Sequence, residues 1–123
     1  MKLNQLKNSI HFAWRGVMFV FRHEQNFRIQ LLIGGCVILL AFLFSLERSE
    51  FVVLLGLIVS VLILELLNSA VEKCIDIIKP RFHTQVEVVK DIMAAVVLFA
   101  SIGAVLIGTI IFWPYLVELF TSS

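Results

Sequence analysis

Four polar side chains recur at helical spacing where a long apolar segment gives way to the stretch ELLNSAVEKCID, residues 65–76. They are separated by three, four and four residues: Glu65, Asn68, Glu72 and Asp76. On a helix this spacing places all of them on one face. An ionised carboxylate at the centre of a membrane helix costs about 2.5–3.5 kcal/mol. Such a face is therefore expected to line a protein interface or a wet cleft and to avoid lipid.

Two interpretations of this acidic face remain open from the residues alone. It could hold helices together through hydrogen bonds, or it could carry chemistry, which is the default reading of acids within a membrane. Further polar residues should reach the same membrane surface, because Glu24 precedes the first apolar segment and Lys90-Asp91 opens the third. Their presence favours the interpretation as a chemical site.

These side chains suit phosphoryl transfer without requiring it. Carboxylates bind Mg²⁺ together with phosphate oxygens, and a lysine at the start of a helix adds charge where anions already bind. A deeper carboxylate, Glu65, would be a general base. The chain has neither a GxxxxGK[ST] nor a GxGxxG phosphate loop. A small proton- or cation-coupled transporter that switches at Glu65 is an alternative, as is a pore-forming protein. Both leave most of the polar face without a role.

Three long apolar segments must position these groups. The chain has 123 residues, of which 60% are hydrophobic, whereas soluble domains have about 45–50%. A spanning helix needs about 20 mostly apolar residues, and the segments that reach this length cover about 27–46, 51–71 and 92–117. We therefore predict an all-α membrane protein with three transmembrane helices in a single domain, residues 1–123.

Charge and periodicity predict how this domain meets the membrane. The spacing of apolar and basic residues over about 2–22 predicts an amphipathic helix with a basic polar face, suited to the surface of the inner leaflet. Nine of the ten Lys and Arg residues precede the first span or lie between the second and third, and the other is Arg48. The positive-inside rule then places the N-terminus in the cytoplasm and the C-terminus outside. A net charge of +1 gives no reason to expect a nucleic-acid partner.

Several sequence blocks together resemble a known family. They are AWRG at 13–16, HEQNFRIQ at 23–30, ELLNSAVE at 65–72, Asp76, Phe82-His83 and KD at 90–91. In these blocks and their spacing the chain resembles the prokaryotic diacylglycerol kinase family, which includes the undecaprenol kinases of Gram-positive bacteria. The resemblance implies a bacterial inner-membrane protein that assembles as a homotrimeric helical bundle. It also implies transfer of the γ-phosphate of ATP, with Mg²⁺, to a lipid hydroxyl at sites between subunits.

The resemblance further implies a role for individual residues. Glu65 would be the catalytic base, oriented by Asn68, and Glu24 and Glu72 would hold the metal. The residues implied in nucleotide binding are Phe12, Glu24, Glu72, Asp76, Arg81, Phe82, His83, Lys90 and Asp91. The residues implied in lipid binding are Asn26, Arg28, Gln30 and Glu65.

The chain departs from the family pattern at four positions. The departures are Gln5 and Asn8 in the surface helix, where the family often has basic residues, and Arg81 and Met93 near the expected nucleotide site. The HEQNFRIQ block and the IIFWPYL segment look more like the undecaprenol kinase branch. We therefore expect undecaprenol as the acceptor, with diacylglycerol as the alternative.

Overall fold

The computed structural model describes residues 2–78, 80–81 and 83–122. Over these residues the chain forms four helices and no strand: α1 (Lys2–His23), α2 (Gln25–Leu43), α3 (Arg48–Ile78) and α4 (His83–Thr121). α3 packs against α2 and α4, and α1 contacts α2 and α3. The predicted all-α fold is confirmed.

Three of these helices are long and apolar enough to cross a membrane: Gln25–Leu43, Arg48–Ile78 and Thr84–Thr121. This confirms the prediction of a multi-pass membrane protein. α2 has 19 residues, so its length of about 28 Å nearly matches the hydrocarbon core. α3 and α4 are longer, with 31 and 39 residues. Both therefore begin and end outside the predicted spans 51–71 and 92–117.

The turn between α2 and α3 is fixed by backbone hydrogen bonds. The Leu46 amide donates to the Ala41 carbonyl oxygen at 3.1 Å, and the Ser45 amide donates to that of Phe42 at 3.2 Å. Ser45 has φ 53°, the left-handed conformation that closes a Schellman motif. The helix therefore ends at Leu43, three residues before the predicted limit at 46.

Glu50 joins α3 to α4 at the end of the bundle where this turn lies. Its Oε1 atom accepts a hydrogen bond from the Glu47 amide at 3.2 Å, which caps the start of α3, and another from the Tyr115 hydroxyl. Phe44 packs beside the same junction, with ring centroids 6.0 Å from Phe112 and 6.3 Å from Tyr115. We call Glu50, Tyr115 and these two phenylalanines the outer clasp.

The segment WPY at 113–115 predicts a helix that ends at its proline, but Pro114 lies inside α4, which continues to Thr121. That prediction is wrong. Proline removes one backbone donor and usually kinks or breaks a helix interior. Here the next residue, Tyr115, is tied to α3 through Glu50. Helical pairing also resumes beyond the proline, where the Ser122 amide donates to the Glu118 carbonyl oxygen at 3.0 Å.

The connection at the opposite end is shorter than the sequence suggested. α3 ends at Ile78, and the Arg81 amide donates back to the Ile78 carbonyl oxygen at 3.0 Å. The sequence KPRFHTQV predicts a connection over 79–86, but α4 already starts at His83, so the prediction is wrong in its second half. The helix starts early because Val86 is buried at this end, where Ile75 of α3 is also buried.

The junction of α1 and α2 depends on an arginine. The Arg28 guanidinium donates to the carbonyl oxygens of Phe21 at 2.6 Å and Arg22 at 3.1 Å, and so caps the C-terminal end of α1. The chain breaks its helical geometry at Glu24, with φ −114° and ψ 110°. α1 spans the predicted surface helix, and its position on the leaflet stays a prediction.

A long groove runs between the three membrane helices. It has a volume of about 570 Å³ and extends along α2 from Gln30 to Phe44. α2 and α3 approach closely beside it, since a Cβ added at Gly34 would lie 2.9 Å from the Ile58 side chain. The packing of α2 on α3 therefore needs glycine at this position.

The outer clasp predicts a stability effect. Tyr115→Phe removes one hydroxyl and leaves the ring, so it should lower the free energy of unfolding by about 1 kcal/mol. Thermal unfolding in detergent measures this as a lower Tm. Thr109→Val is the control, because that hydroxyl bonds only within its own helix, to the Val105 carbonyl oxygen. Equal Tm values for Tyr115→Phe and the unmodified chain would contradict the clasp.

Candidate active site

Glu65 is the most deeply buried acidic side chain of the described residues. It is 1% exposed, and its carboxyl group takes part in a hydrogen bond with the Gln30 side chain of α2. Only the amide nitrogen of Gln30 can donate to a carboxylate. The other oxygen of each group, Oε2 of Glu65 and Oε1 of Gln30, is buried without a protein partner. Unsatisfied buried oxygens are costly, which indicates a role beyond folding.

Two other carboxylates lie close to this pair. The negative charges of Glu24 and Glu72 both act on the carboxyl group of Glu65. Glu24 reaches the site because it occupies the break between α1 and α2, and its side chain makes no capping hydrogen bond there. The structure therefore brings together three predicted site acids from two parts of the chain.

Helix contacts give the order of depth in this site. Gly34 meets Ile58, and α2 and α3 run antiparallel, so Glu24 lies near the level of Asn68. Gln30 then lies about one turn deeper in the membrane than Glu65. Glu72 lies about 10.5 Å along α3 from Glu65, toward the inner end. The polar groups thus form a ladder that starts at the end of the bundle where α1 meets α2 and ends at Gln30.

Lys90 lies at the upper end of this ladder. The short turn between Ile78 and His83, together with the 3.9 Å approach of Gly108 to Leu54, fixes the register of α3 against α4. In that register Lys90 lies at the level of Glu72. Its side chain is half-buried, while Asp91 and Asp76 are exposed. An ammonium group at this level can meet a phosphate that arrives from the water.

The remaining predicted nucleotide residues are not gathered by a single chain. Phe12 is 61% exposed on α1, about 16 Å along the helix from His23. Arg81 is exposed in the turn between α3 and α4. Phe82 and the side chain of His83 lie outside the described residues. Their predicted contacts with nucleotide stay predictions.

The predicted lipid-binding residues other than Glu65 lie in different environments. Gln30 lies against Glu65, as its assignment requires. Arg28 caps α1 through two backbone carbonyl oxygens, and its contact with lipid stays a prediction. Asn26 is exposed at the start of α2.

Sequence reasoning did not single out Ser69. It is 4% exposed and its Oγ atom has no protein partner. It lines a second cavity of about 430 Å³ between α1 and α3, which also includes Gly16 and Lys73. Its spacing of four residues from Glu65 and three from Glu72 was the available signal, because it places the hydroxyl on the acidic face.

The implied Mg²⁺ can be tested against the donors that are present. Within residues 2–78, 80–81 and 83–122, no group of three or more His, Cys, Asp or Glu side chains is placed to hold a metal ion. Mg²⁺ is usually held by one or two carboxylates together with substrate phosphates. Glu24 and Glu72 fit that partial set, and the phosphate oxygens of a nucleotide would complete it.

A family model described as prokaryotic diacylglycerol kinase matches residues 11–112. The chain belongs to this family. A diacylglycerol kinase from Synechocystis is 38% identical over 112 residues, which cover 90% of this chain and 64% of that protein. The undecaprenol kinase of Bacillus subtilis is 32% identical over 94% of both chains. The Escherichia coli diacylglycerol kinase is 29% identical over 85% of both.

Family membership confirms the resemblance stated from the sequence blocks. Diacylglycerol kinases and undecaprenol kinases are lipid kinases, so the prediction of an enzyme of this class is confirmed. The transporter and pore-forming alternatives have no support among these relatives. Relatives of both names match, and the preference between the two lipids is therefore not decided by the comparisons.

The burial of Glu65 predicts a stability effect opposite to that of most core substitutions. Glu65→Leu combined with Gln30→Leu should raise the free energy of unfolding by about 1–3 kcal/mol, because it replaces both partners of a buried polar pair, with their unsatisfied oxygens, by apolar side chains of similar volume. Thermal unfolding in detergent would detect a higher Tm. The same change at an exposed acid, Glu87→Leu, should shift stability by no more than about 0.5 kcal/mol. A lower Tm for the double variant would mean that the polar pair is needed for packing.

Proposed function

We propose that this protein transfers the γ-phosphate of ATP to the hydroxyl group of a membrane lipid, undecaprenol in preference to diacylglycerol. The observation that carries the proposal is the buried Glu65, with one unpartnered oxygen, flanked by Glu24 and Glu72. A lipid hydroxyl arrives from the bilayer and ATP from the water. The depth order of the ladder, with Glu65 below and Glu72 above, suits transfer between these two phases.

The proposed reaction uses Glu65 as the general base. Its carboxylate takes the proton of the lipid hydroxyl while the hydroxyl oxygen attacks the γ-phosphorus atom. The bond from that phosphorus to the β-γ bridging oxygen breaks, and ADP leaves with the bond electrons. The Gln30 amide steadies one carboxylate oxygen and leaves Oε2 available for the lipid hydroxyl.

Charged groups nearer the water would bind the nucleotide. Glu24 and Glu72 would hold Mg²⁺, which when bound neutralises charge on the phosphates. Lys90, at the level of Glu72, would pair with the terminal phosphate oxygens, with Asp91 and Asp76 nearby. Asn68 lies one turn from both Glu65 and Glu72 and would orient the base or the phosphate.

The same proposal assigns topology and assembly. The excess of Lys and Arg at the inner ends supports a cytoplasmic N-terminus, an external C-terminus and location in the inner membrane. A homotrimer is supported by the incomplete nucleotide site, since Phe12 lies far along α1 from the acidic ladder within one chain. A neighbouring subunit would supply the missing contacts.

The lipid preference rests on two sequence blocks. The HEQNFRIQ block at 23–30 contributes Glu24 and Gln30 to the site, and the IIFWPYL segment contributes the α4 part of the outer clasp. Both look more like undecaprenol kinases than diacylglycerol kinases. Either lipid offers a primary alcohol, so the chemistry at Glu65 is the same for both.

A transfer assay tests the reaction and the acceptor together. Purified protein in mixed micelles, given radiolabelled MgATP with undecaprenol and diacylglycerol side by side, should label undecaprenol more rapidly. Faster labelling of diacylglycerol would overturn the preference while keeping the enzyme class. Failure to label either lipid, with the protein folded, would remove support for the reaction.

Substitution of the base tests its role. Glu65→Gln keeps the shape of the side chain and removes its basicity, so turnover should fall by at least about 100-fold. The measurement is kcat for lipid phosphorylation, with nucleotide affinity followed separately to show that ATP still binds. Glu87→Gln, at an exposed position, is the matched control. Turnover near that of the unmodified chain would refute the assignment of Glu65.

The metal assignment predicts a change in Mg²⁺ dependence. Glu72→Gln removes one anionic ligand, so the Mg²⁺ concentration for half-maximal activity should rise by about tenfold or more. Titration of activity with Mg²⁺ at fixed ATP measures it. Glu118→Gln, in the exposed last turns of α4, should leave the titration unchanged. An unaltered midpoint for Glu72→Gln would exclude this carboxylate from the metal site.

A further inference from the structure

The groove between α2, α3 and α4 is a large apolar feature that the proposed reaction leaves unused. Its volume of about 570 Å³ falls in the range of ligand sites, about 300–1,000 Å³. Polar side chains in its lining are few, namely Gln30, Ser101 and Thr109. The Thr109 hydroxyl already donates to the Val105 carbonyl oxygen at 2.7 Å. The groove therefore suits a ligand with a long apolar body.

The groove is polar at the end near Gln30 and is lined by aromatic rings toward the other end. Gln30 lies at the inner end, with a buried unpartnered Oε1 and with Glu65 as its neighbour. Phe44 and Phe112 line the other end, and their ring centroids are 6.0 Å apart. The groove thus has a polar end beside Gln30 and Glu65, and an aromatic end at the outer clasp, which we call the aromatic floor.

The length of the groove exceeds one leaflet. From Gln30 to Phe44 is 14 residues of α2, or about 21 Å along the helix axis. One leaflet of the hydrocarbon core is about 15 Å deep. Because the floor lies beside the outer turn, a chain that fills the groove must cross the bilayer midplane.

The shape of the groove suits a single extended chain. The volume spread over this length gives a mean cross-section of about 27 Å², so the groove is long and narrow.

We infer that this groove binds the hydrocarbon chain of the alcohol substrate, with the hydroxyl at Gln30 and Glu65 and the chain running to the aromatic floor. The occupant is a polyprenyl chain long enough to pass the midplane. This inference rests on the proposed function for its substrate class. The groove length then provides the selection for a long-chain alcohol over lipids whose chains stay in one leaflet.

Two glycines of α4 offer a matched test. Gly108 lines the groove, and a Cβ there would make ordinary contact, 3.9 Å from Leu54. Gly108→Leu therefore fills the groove without a backbone clash, about 12 Å beyond the level of Gln30. Gly103 is on the same helix and outside the groove lining, and a Cβ there meets nothing within 4 Å. Gly103→Leu is the control of identical chemistry.

Chain length should decide the effect of the substitution. We expect Gly108→Leu to lower kcat/KM for undecaprenol by about tenfold or more, as filled apolar pockets do. Geraniol is too short to reach residue 108, so its phosphorylation should stay within about twofold. Gly103→Leu should change neither. Equal losses for both alcohols, or a loss that accompanies a change in oligomeric mass by light scattering, would overturn the groove assignment.

A binding experiment separates this inference from the proposed reaction. The probe is a polyprenol that carries a photoreactive diazirine at the end opposite its hydroxyl, with labelled peptides mapped by mass spectrometry. We expect labels near Phe44 and Phe112, lost in Gly108→Leu and kept in Gly103→Leu. Labels spread over exposed α4 residues such as Leu98 and Phe99 would overturn the groove. If the probe labels the protein near Phe44 and Phe112 but no alcohol is phosphorylated, the proposed reaction would be overturned and the groove assignment would stand.

Discussion

The cost of keeping the Glu65 carboxyl group out of water is the constraint on which the rest of the structure depends. A buried carboxyl with an unpartnered oxygen opposes folding, so the surrounding helices must be held by contacts that do not involve it. Those contacts lie on both sides of the acid. Arg28 and the break at Glu24 order the inner end, while the Schellman turn and Glu50 order the outer end. The site occupies the stretch between two fixed ends.

The packing of the helices fixes how deep each residue lies along the bundle axis. The tight approach of Gly34 to Ile58 fixes α2 against α3, and the short turn after Ile78 fixes α3 against α4. With both registers set, each polar residue has a defined height in the membrane. A reaction between a donor in water and an acceptor in the bilayer needs its polar side chains at defined depths more than it needs a deep closed pocket.

The sequence predicted what depends on local spacing and missed what depends on distant partners. The acidic face over 65–76 followed from helical periodicity, and the three spans followed from apolar length. Pro114 was assigned as a helix end because its own neighbours favour that role. The structure keeps it helical beside Tyr115, whose partner Glu50 is 65 residues away. The two bonds from Arg28 to the end of α1 were also not expected, because they depend on the break in helical geometry at Glu24. The position of Glu24 before the first span predicted that it reaches the same membrane surface, whereas its metal-binding role came only from the family resemblance.

The bond between Glu50 and Tyr115 also bears on the order in which the chain is built. Glu50 caps α3 as soon as the α2–α3 hairpin exists, whereas Tyr115 emerges from the ribosome 65 residues later. The hydrogen bond between α3 and α4 can therefore form only after nearly the whole chain has been made, which places this contact late in the assembly of the bundle.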